Sequence, residues 1–289
     1  QPVAVAETEM ALWQSADEQP AGHMFLVGDS KTEHPAVDPD RNKTRWVQSM
    51  SQNGGYLSFE MPNLAAELEA ADGKLPAVLS GKAIRTLSSV DGSLTIEVAD
   101  KGIKHGGMGT HATDENDMAK STAPDGLMWI KGSDADVLIA DEDSGNAFGE
   151  RKYALVLNPD DLQLVEPGRG YFLAMAGGDE SPRAKAGATA LAGAIDKPRT
   201  SEFSGTWNLT AMLATKDDGS FYSMGELAGT GEAEINATVP INEHKLLAVV
   251  QHRTKSGGQV ADVNADRGGQ VFMFQLNLPE QAYDLSFLK

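Results

Sequence analysis

Residues 124–157 read PDGLMWIKGSDADVLIADEDSGNAFGERKYALVL and contain three short apolar runs that polar residues separate. The runs lie at 126–130, 136–140 and 153–157, with Asp, Gly and Ser residues between them. Runs of this length, bounded by turn-forming residues, are typical of β-strands rather than helices. The segment therefore predicts three successive antiparallel strands with polar connections, which is most of one β-propeller blade.

The same pattern continues through the rest of the chain, where 30 glycines and 13 prolines punctuate the apolar runs. We therefore predict an all-β fold. At roughly 40–45 residues per blade, the length allows a β-propeller of about six blades, and a β-sandwich or another all-β arrangement is the alternative. The further predicted strands are 23–27, 45–50, 55–59, 93–98, 171–175, 207–212, 245–250 and 270–276.

One segment has the composition of a helix. Residues 63–72 are rich in Leu, Ala and Glu, Asn63 is a suitable N-cap, and Gly73 follows as a suitable end. We predict one short helix there, inside a single propeller-like domain over 21–279. Residues 1–20 are predicted to be an N-terminal extension and 280–289 a C-terminal tail.

Composition excludes several classes of function. The chain has 24 Lys and Arg against 42 Asp and Glu, a net charge of −18, which argues against nucleic acid and anionic membranes as partners. It has no cysteine, so a disulfide framework, a thiolate zinc site and a cysteine nucleophile are excluded. No apolar run is long enough to span a bilayer, and no G-x-S-x-G elbow, P-loop or dinucleotide fingerprint is present.

Two acidic segments have the composition of calcium-binding loops. Each follows or precedes a predicted strand and offers several carboxylate and amide oxygens at close spacing, which are the ligands that Ca²⁺ prefers. The alternative is that both are ordinary solvated turns, which is the expectation for the similar stretch 38–42. The candidate ligands are Asp141, Glu142, Asp143 and Asn146 in the first segment and Asp262, Asn264 and Asp266 in the second.

Histidines provide two further candidates. His105 and His111 flank the glycine-rich sequence GGMGT, where a transition metal could bind beside the carboxylates that follow; an exposed glycine loop is the alternative. Gln251 and His252 follow the predicted strand 245–250 and are candidate metal ligands. Arg253 is a candidate phosphate-binding residue because guanidinium groups clamp anions, although pairing with a surface carboxylate is the commoner role.

Three short motifs give the chain a resemblance to a known family. Pro124-Asp125-Gly126-Leu127, the loop 139–146 and Val249-Val250-Gln251-His252 resemble the PhoX-type calcium-dependent alkaline phosphatase family, mainly over residues 120–289. The resemblance implies an exported β-propeller (secreted, periplasmic or lumenal) with Ca²⁺ near its axis and, in active members, a metal cluster that hydrolyses phosphomonoesters. By that resemblance Glu142 and Asp143 are metal ligands and Gln251-His252 lie close to the central site.

This chain departs from that family in one respect that matters for catalysis. Active members use a cysteine as an iron ligand, and this chain has no cysteine. Two functions therefore stay open beside that of an acidic, β-rich assembly subunit that needs no ion. One is an exported calcium-dependent hydrolase of small phosphate esters, and the other is a non-catalytic, calcium-stabilised binding or scaffold subunit with a protein partner.

Overall fold

The computed structural model describes residues 8–14, 32–51, 55–61, 63, 66, 69–70, 78–88, 95–97, 124–143, 150–160, 162, 169–176, 201–229, 231–253 and 267–278. Within these ranges the chain forms three mainly antiparallel sheets and only short helices. The predicted all-β class is therefore confirmed. No helix in the described part of the chain has the length and apolar character needed to cross a membrane.

The first sheet has the order β1-β5-β4-β3-β2, and all neighbouring strands are antiparallel. Strand β1 lies within the predicted N-terminal extension and pairs with β5. Strand β2 was not predicted because Pro35 interrupts its apolar run; the proline is accommodated because β2 is an edge strand. The strands are β1 (Thr8–Gln14), β2 (Thr32–Val37), β3 (Thr44–Met50), β4 (Gly55–Met61) and β5 (Val78–Ser88).

The second sheet contains the three strands that the segment 124–157 predicts. Its order is β6-β10-β9-β8-β7, and only β6 runs parallel to its neighbour. Strand β8 is two residues longer than predicted, so Asp141 and Glu142 lie in the strand and not in a loop. The strands are β6 (Thr95–Glu97), β7 (Pro124–Lys131), β8 (Asp136–Glu142), β9 (Glu150–Leu157) and β10 (Arg169–Ala176).

The third sheet, β11-β12-β13, is an antiparallel meander. The chain between β11 and β12, here called the helical insert, spans residues 209–244. Its elements are β11 (Ser201–Asn208), α1 (Thr210–Leu213), α2 (Met224–Leu227), α3 (Gly231–Asn236), a 3₁₀ turn (Ile241–Glu243), β12 (Lys245–Arg253) and β13 (Arg267–Gln275).

The predicted strand 207–212 is wrong beyond Asn208. The side-chain oxygen of Asn208 accepts hydrogen bonds from the Thr210 amide at 3.1 Å and from the Thr210 hydroxyl at 2.6 Å. These local bonds turn the chain out of the sheet, as Asx turns do. The predicted strand 23–27 lies outside the described residues.

Part of the predicted helix 63–72 is described. Ala66, Glu69 and Ala70 have helical backbone, and the Asn63 side-chain oxygen accepts a hydrogen bond from the Ala66 amide at 3.2 Å. This bond is the N-cap interaction that the sequence predicts.

The second sheet lies between the other two, which gives it two buried faces. Leu138 of β8 packs in one cluster with Val47 of the first sheet, whereas its neighbour Val137 packs in another with Leu246 of the third. Because side chains alternate along a strand, β8 contributes to both cores, and all seven of its residues are buried. Three of these residues are carboxylates, so their charges need partners inside the protein.

Candidate functional site

A cleft opens where β7, β11 and the helical insert meet, and its volume is about 340 Å³. This volume is in the range that small ligands occupy in proteins. Strand β7 supplies one wall, the end of β11 a second, and the region of α2 and α3 a third. The cleft is lined by Pro39, Met128, Trp129, Ile130, Lys131, Thr206, Trp207, Asn208, Gly229, Glu232, Ala233 and Asn236.

Two tryptophans give the cleft an aromatic wall, and their environments differ. Trp207 on β11 is 59% exposed, so its indole ring is available to a ligand. Trp129 on β7 is buried, and its indole N–H donates to the carboxylate of Asp136 at 3.1 Å. Because the polar atom of Trp129 already has its partner, this ring contributes apolar surface alone.

The wall also contains a buried amide oxygen that has no hydrogen-bond partner among the described residues. Asn236 is the last residue of α3 and is 8% exposed, and its Oδ1 atom is the unpaired one. A buried acceptor without a donor costs about 1–3 kcal/mol of stability, so such groups in native proteins require an explanation. A ligand in the cleft that donates a hydrogen bond to this oxygen would explain why it is unpaired.

Replacing Asn236 with leucine, which has a similar volume, is expected to raise the free energy of unfolding by about 1–2 kcal/mol, because the unpaired oxygen is removed. Urea denaturation followed by circular dichroism measures the change. Asn242→Leu is the matched control, since the Asn242 side chain exchanges two hydrogen bonds with the backbone of Leu278 and its loss should destabilise. Equal destabilisation by both substitutions would contradict the prediction.

Lys131 lies at the cleft between two carboxylates. Its ammonium nitrogen is 3.9 Å from Asp40 and 3.9 Å from Asp136. Burial raises the pKa of Asp136, and the attraction of Lys131 opposes that shift. A hydrogen bond from the Asn42 backbone lowers the pKa of Asp40. The positive charge of Lys131 is thus offset by its neighbours before any ligand enters.

Hydrogen bonds hold the helical insert against the second sheet and so fix the third wall of the cleft. The Ser133 amide donates to the Val239 carbonyl at 2.9 Å, and the Ile241 amide donates to the Asp134 carboxylate at 2.7 Å. The Arg41 guanidinium donates to the carbonyl of Gly229, a residue with φ of +71° in the cleft wall. These contacts join residues more than 100 positions apart and make the cleft a product of tertiary packing.

The floor of the cleft is joined to a buried histidine. Asn208, which lines the cleft, is hydrogen-bonded through Nδ2 to His244 Nδ1 at 3.0 Å. His244 Nε2 lies 3.2 Å from the Val239 carbonyl, to which it donates. Burial lowers the pKa of His244, which favours the neutral ring that this pair of bonds requires. The network fixes the side chain of Asn208.

Asp141, the first predicted calcium ligand, forms a buried ion pair. Its carboxylate accepts from the ammonium group of Lys152 on β9, and neither residue is more than 3% exposed. The same ammonium donates to the Thr206 hydroxyl at 2.5 Å and lies 4.8 Å from the centre of the Phe203 ring. Burial raises the pKa of Asp141 and lowers that of Lys152, while their mutual attraction opposes both shifts. Glu142, the next residue of β8, is also buried.

The remaining predicted site residues divide into two groups. Asp143 is exposed at the end of β8, and Gln251, His252 and Arg253 are the last residues of β12, inside the strand that they were expected to follow. Across the described ranges no three His, Asp or Glu side chains lie together as a metal ion would need. The other predicted ligands lie outside the described residues: His105, His111, Asn146, Asp262, Asn264 and Asp266.

A histidine and a carboxylate that the sequence interpretation did not pair connect the first two sheets. His34 Nδ1 on β2 lies 2.7 Å from the carboxylate of Asp125 on β7. The Ser49 hydroxyl lies 2.8 Å from the Asp125 carbonyl and 3.1 Å from the His34 carbonyl. These contacts hold β2 beside β7.

The expected turn at 38–42 is also present, because the side chains of Asp38 and Asp40 each accept a hydrogen bond from the backbone amide two residues later.

The sequence interpretation missed the cleft, although one signal for its helical wall was available. Residues 231–236 (GEAEIN) contain good helix formers, with two glutamates in the first turn.

Comparisons with family models, curated proteins and solved structures give no match. The chemistry of these side chains is therefore the basis for a functional conclusion.

Proposed function

We propose that this chain is a non-catalytic binding protein of β-propeller architecture, stabilised by Ca²⁺, and that the cleft takes a small ligand. The observation that carries the proposal is the cleft itself. It combines about 340 Å³ of space with an exposed indole and an unpaired buried amide oxygen. Concave, mostly apolar sites with a few convergent polar groups are where proteins bind small molecules.

The arrangement of the sheets supports the propeller part of the proposal. Strands β2–β5, β7–β10 and β11–β13 each form an antiparallel meander. The first strands of these three units are neighbours, since β7 contacts both β2 and β11. Propeller blades are antiparallel meanders packed around a common channel, and neighbouring first strands are compatible with that plan.

The charges at the cleft support binding better than catalysis. Among the described residues, the titratable side chains in its lining are Lys131 and Glu232, and Lys131 is held between two carboxylates. The Thr206 hydroxyl accepts a hydrogen bond from Lys152, which also donates to Asp141. A hydroxyl nucleophile needs a base that is free to take its proton. Metal-dependent turnover of an aryl phosphate would contradict this part and would favour a phosphatase.

Blocking the cleft tests the binding function. Ala233→Phe places a ring in the lining, and we expect it to abolish the binding of small aromatic fragments that the wild-type protein takes up, as measured by ligand-observed NMR. Ala228→Phe is the matched control, since Ala228 is exposed and is not part of the lining. Fragment binding that is equal in both variants, or absent from the wild-type protein, would contradict the proposal.

Calcium is expected to raise the melting temperature, because an ion that binds only the folded state stabilises it. At a free concentration one hundred times Kd the gain is about 2.7 kcal/mol. Differential scanning calorimetry in Ca²⁺ and in EGTA measures the shift, and Mg²⁺ is the control for ionic strength and for selectivity. An unchanged melting temperature together with a calcium-free protein by elemental analysis would contradict the prediction.

A further inference from the structure

We propose that the ligand of the cleft is an organic ammonium ion that carries a flat apolar group. This inference rests on the proposed binding function and adds the chemical class of the ligand. Three observations carry it: an unpaired hydrogen-bond acceptor in the cleft wall, the charges around the cleft, and its aromatic surface.

One acceptor in the cleft wall has no hydrogen-bond donor among the described residues. Asn236 lines the cleft, and its Oδ1 is buried without a partner among the described residues. An amide side chain turns readily about its last torsion, so the oxygen can meet a group in the cleft. An ammonium group has donors and no acceptor. It therefore satisfies this oxygen more fully than a carboxylate, which has acceptors alone at neutral pH.

The charge around the cleft favours a cation. Glu232 contributes a carboxylate to the lining. Among the described lining residues the cation is Lys131, and it lies 3.9 Å from each of Asp40 and Asp136, so two carboxylates offset its charge. The Arg41 guanidinium at the wall is bound to the Gly229 carbonyl. The whole chain has a charge of −18, which attracts cations and repels anions over a longer range.

The aromatic surface suits the same ligand. The Trp207 ring is 59% exposed in the lining, and a cation over an indole face gains an interaction that a neutral isostere lacks. Met128, Ala233 and Pro39 add apolar surface beside it. A cavity of about 340 Å³ is at the small end of the range for drug-sized ligands, which favours one ring with a short cationic tail.

Three probes of one shape separate the possible ligand classes. 2-Phenylethylammonium, 2-phenylethanol and phenylacetate share the ring and differ in charge. Isothermal titration calorimetry on the full chain is expected to show the ammonium ion binding at least about tenfold more tightly than either of the others. Binding of the ammonium ion should also weaken as salt is added, because part of the attraction is screened.

Variants of the lining connect the binding to the residues that carry the inference. Glu232→Gln and Asn236→Leu are each expected to weaken ammonium binding by about tenfold. Glu234→Gln is the matched control, since Glu234 is exposed on the same helix and outside the lining. It removes the same charge and should leave the affinity unchanged. Equal losses in Glu232→Gln and Glu234→Gln would overturn a specific ammonium site.

The outcomes distinguish the inference from the function on which it rests. If 2-phenylethanol or phenylacetate binds as tightly as the ammonium ion, and Ala233→Phe abolishes that binding, the ligand class is wrong and the binding function stands. If none of the three probes binds the wild-type protein at millimolar concentration and aromatic fragments do not bind either, both are wrong. Selective ammonium binding that Ala233→Phe abolishes supports both.

Discussion

Replacing Lys152 with methionine is expected to lower the free energy of unfolding by about 3–5 kcal/mol, the largest effect of any substitution considered for this protein. Methionine keeps most of the side-chain volume and removes the charge. The carboxylate of Asp141, which is 3% exposed, then loses its ion-pair partner. A buried charge without a partner is far less stable than the same group in water. Urea denaturation at neutral pH measures the loss.

Close packing around Asp141 restricts its side chain, so the carboxylate cannot easily move to another hydrogen-bond partner. A Cβ atom on Gly126 would lie 2.8 Å from the Asp141 carboxylate, so the strand β7 packs closely over it. Lys152 also supplies the hydrogen bond to Thr206, which connects the second sheet to the third. The substitution therefore removes an ion pair and a contact between sheets together.

Lys216→Met is the matched control for this prediction. Lys216 pairs with Glu226 at 2.5 Å, yet the two side chains are 33% and 46% exposed. The pKa of Glu226 is lowered to about 2, chiefly by the hydrogen bond from Lys216, but ion pairs between exposed side chains contribute little to stability because water and salt screen them. Because its partner stays in contact with water, the loss should be small. Similar losses in the two variants would contradict the prediction.

The double substitution Lys152→Met with Asp141→Leu tests the cause. It removes both charges, and we expect it to recover most of the lost stability, because a buried ion pair can be replaced by apolar residues at small cost. The same variant tests the predicted role of Asp141 in calcium binding. If Asp141 were a calcium ligand, the double variant would lose the calcium-dependent rise in melting temperature. If calcium still raises the melting temperature of the double variant, the calcium ligands are other residues.

Arg45→Met is expected to have the second largest effect, also about 3–5 kcal/mol. Arg45 is 2% exposed and donates to the carboxylate of Asp38 through Nε at 2.8 Å and Nη2 at 2.5 Å. It donates through Nη1 to the Pro159 carbonyl at 2.7 Å, and its guanidinium carbon lies 5.7 Å from the centre of the Trp129 ring. The substitution removes the ion-pair partner of Asp38, which is 4% exposed and whose carboxylate keeps only the hydrogen bond from the Asp40 amide at 2.8 Å among the described residues. The Pro159 carbonyl keeps the longer hydrogen bond from Lys43 Nζ at 3.2 Å.

Arg45→Lys and Arg41→Met are the controls for this prediction. Lysine keeps the charge but cannot reproduce the fork of bonds to Asp38 and Pro159, so its loss should be intermediate. Arg41 is exposed, with one hydrogen bond to the Gly229 carbonyl, and removal of such a surface side chain usually changes stability by less than about 0.5 kcal/mol. Unfolding midpoints that coincide for Arg45→Met and Arg41→Met would contradict the prediction.

Much of the strand pattern was predictable, because it depends on local alternation and on turn residues. Residues 137–140 alternate between two cores, and the runs 126–130, 153–157 and 171–175 all lie within strands of the second sheet. The strands β1, β2 and β5 were missed because polar or proline residues interrupt them. Their pairing partners stabilise them, and pairing partners are distant in the sequence.

The site was less predictable, because the sequence does not distinguish an acidic residue that is solvated from one that is buried. Asp141 and Glu142 continue an acidic run and were assigned to a loop, but they end a strand that is covered on both faces. The cation that pairs with Asp141 comes from β9 and the one that pairs with Asp38 comes from β3. Whether a carboxylate is buried beside a cation depends on which strands pack together. The spacing of residues along the chain does not indicate which strands these are.

The sequence alone settles that the chain forms β-sheets, that its net charge is −18 and that it contains no thiol. Each of these depends on local periodicity or on composition, which neighbouring residues or simple counts express. The packing of the sheets settles which charges are neutralised and where a ligand can enter. Met128, Trp207 and Asn236 lie on separate elements and line one cleft only because the helical insert packs against the second sheet. A cavity is the space between elements, so only their arrangement creates it.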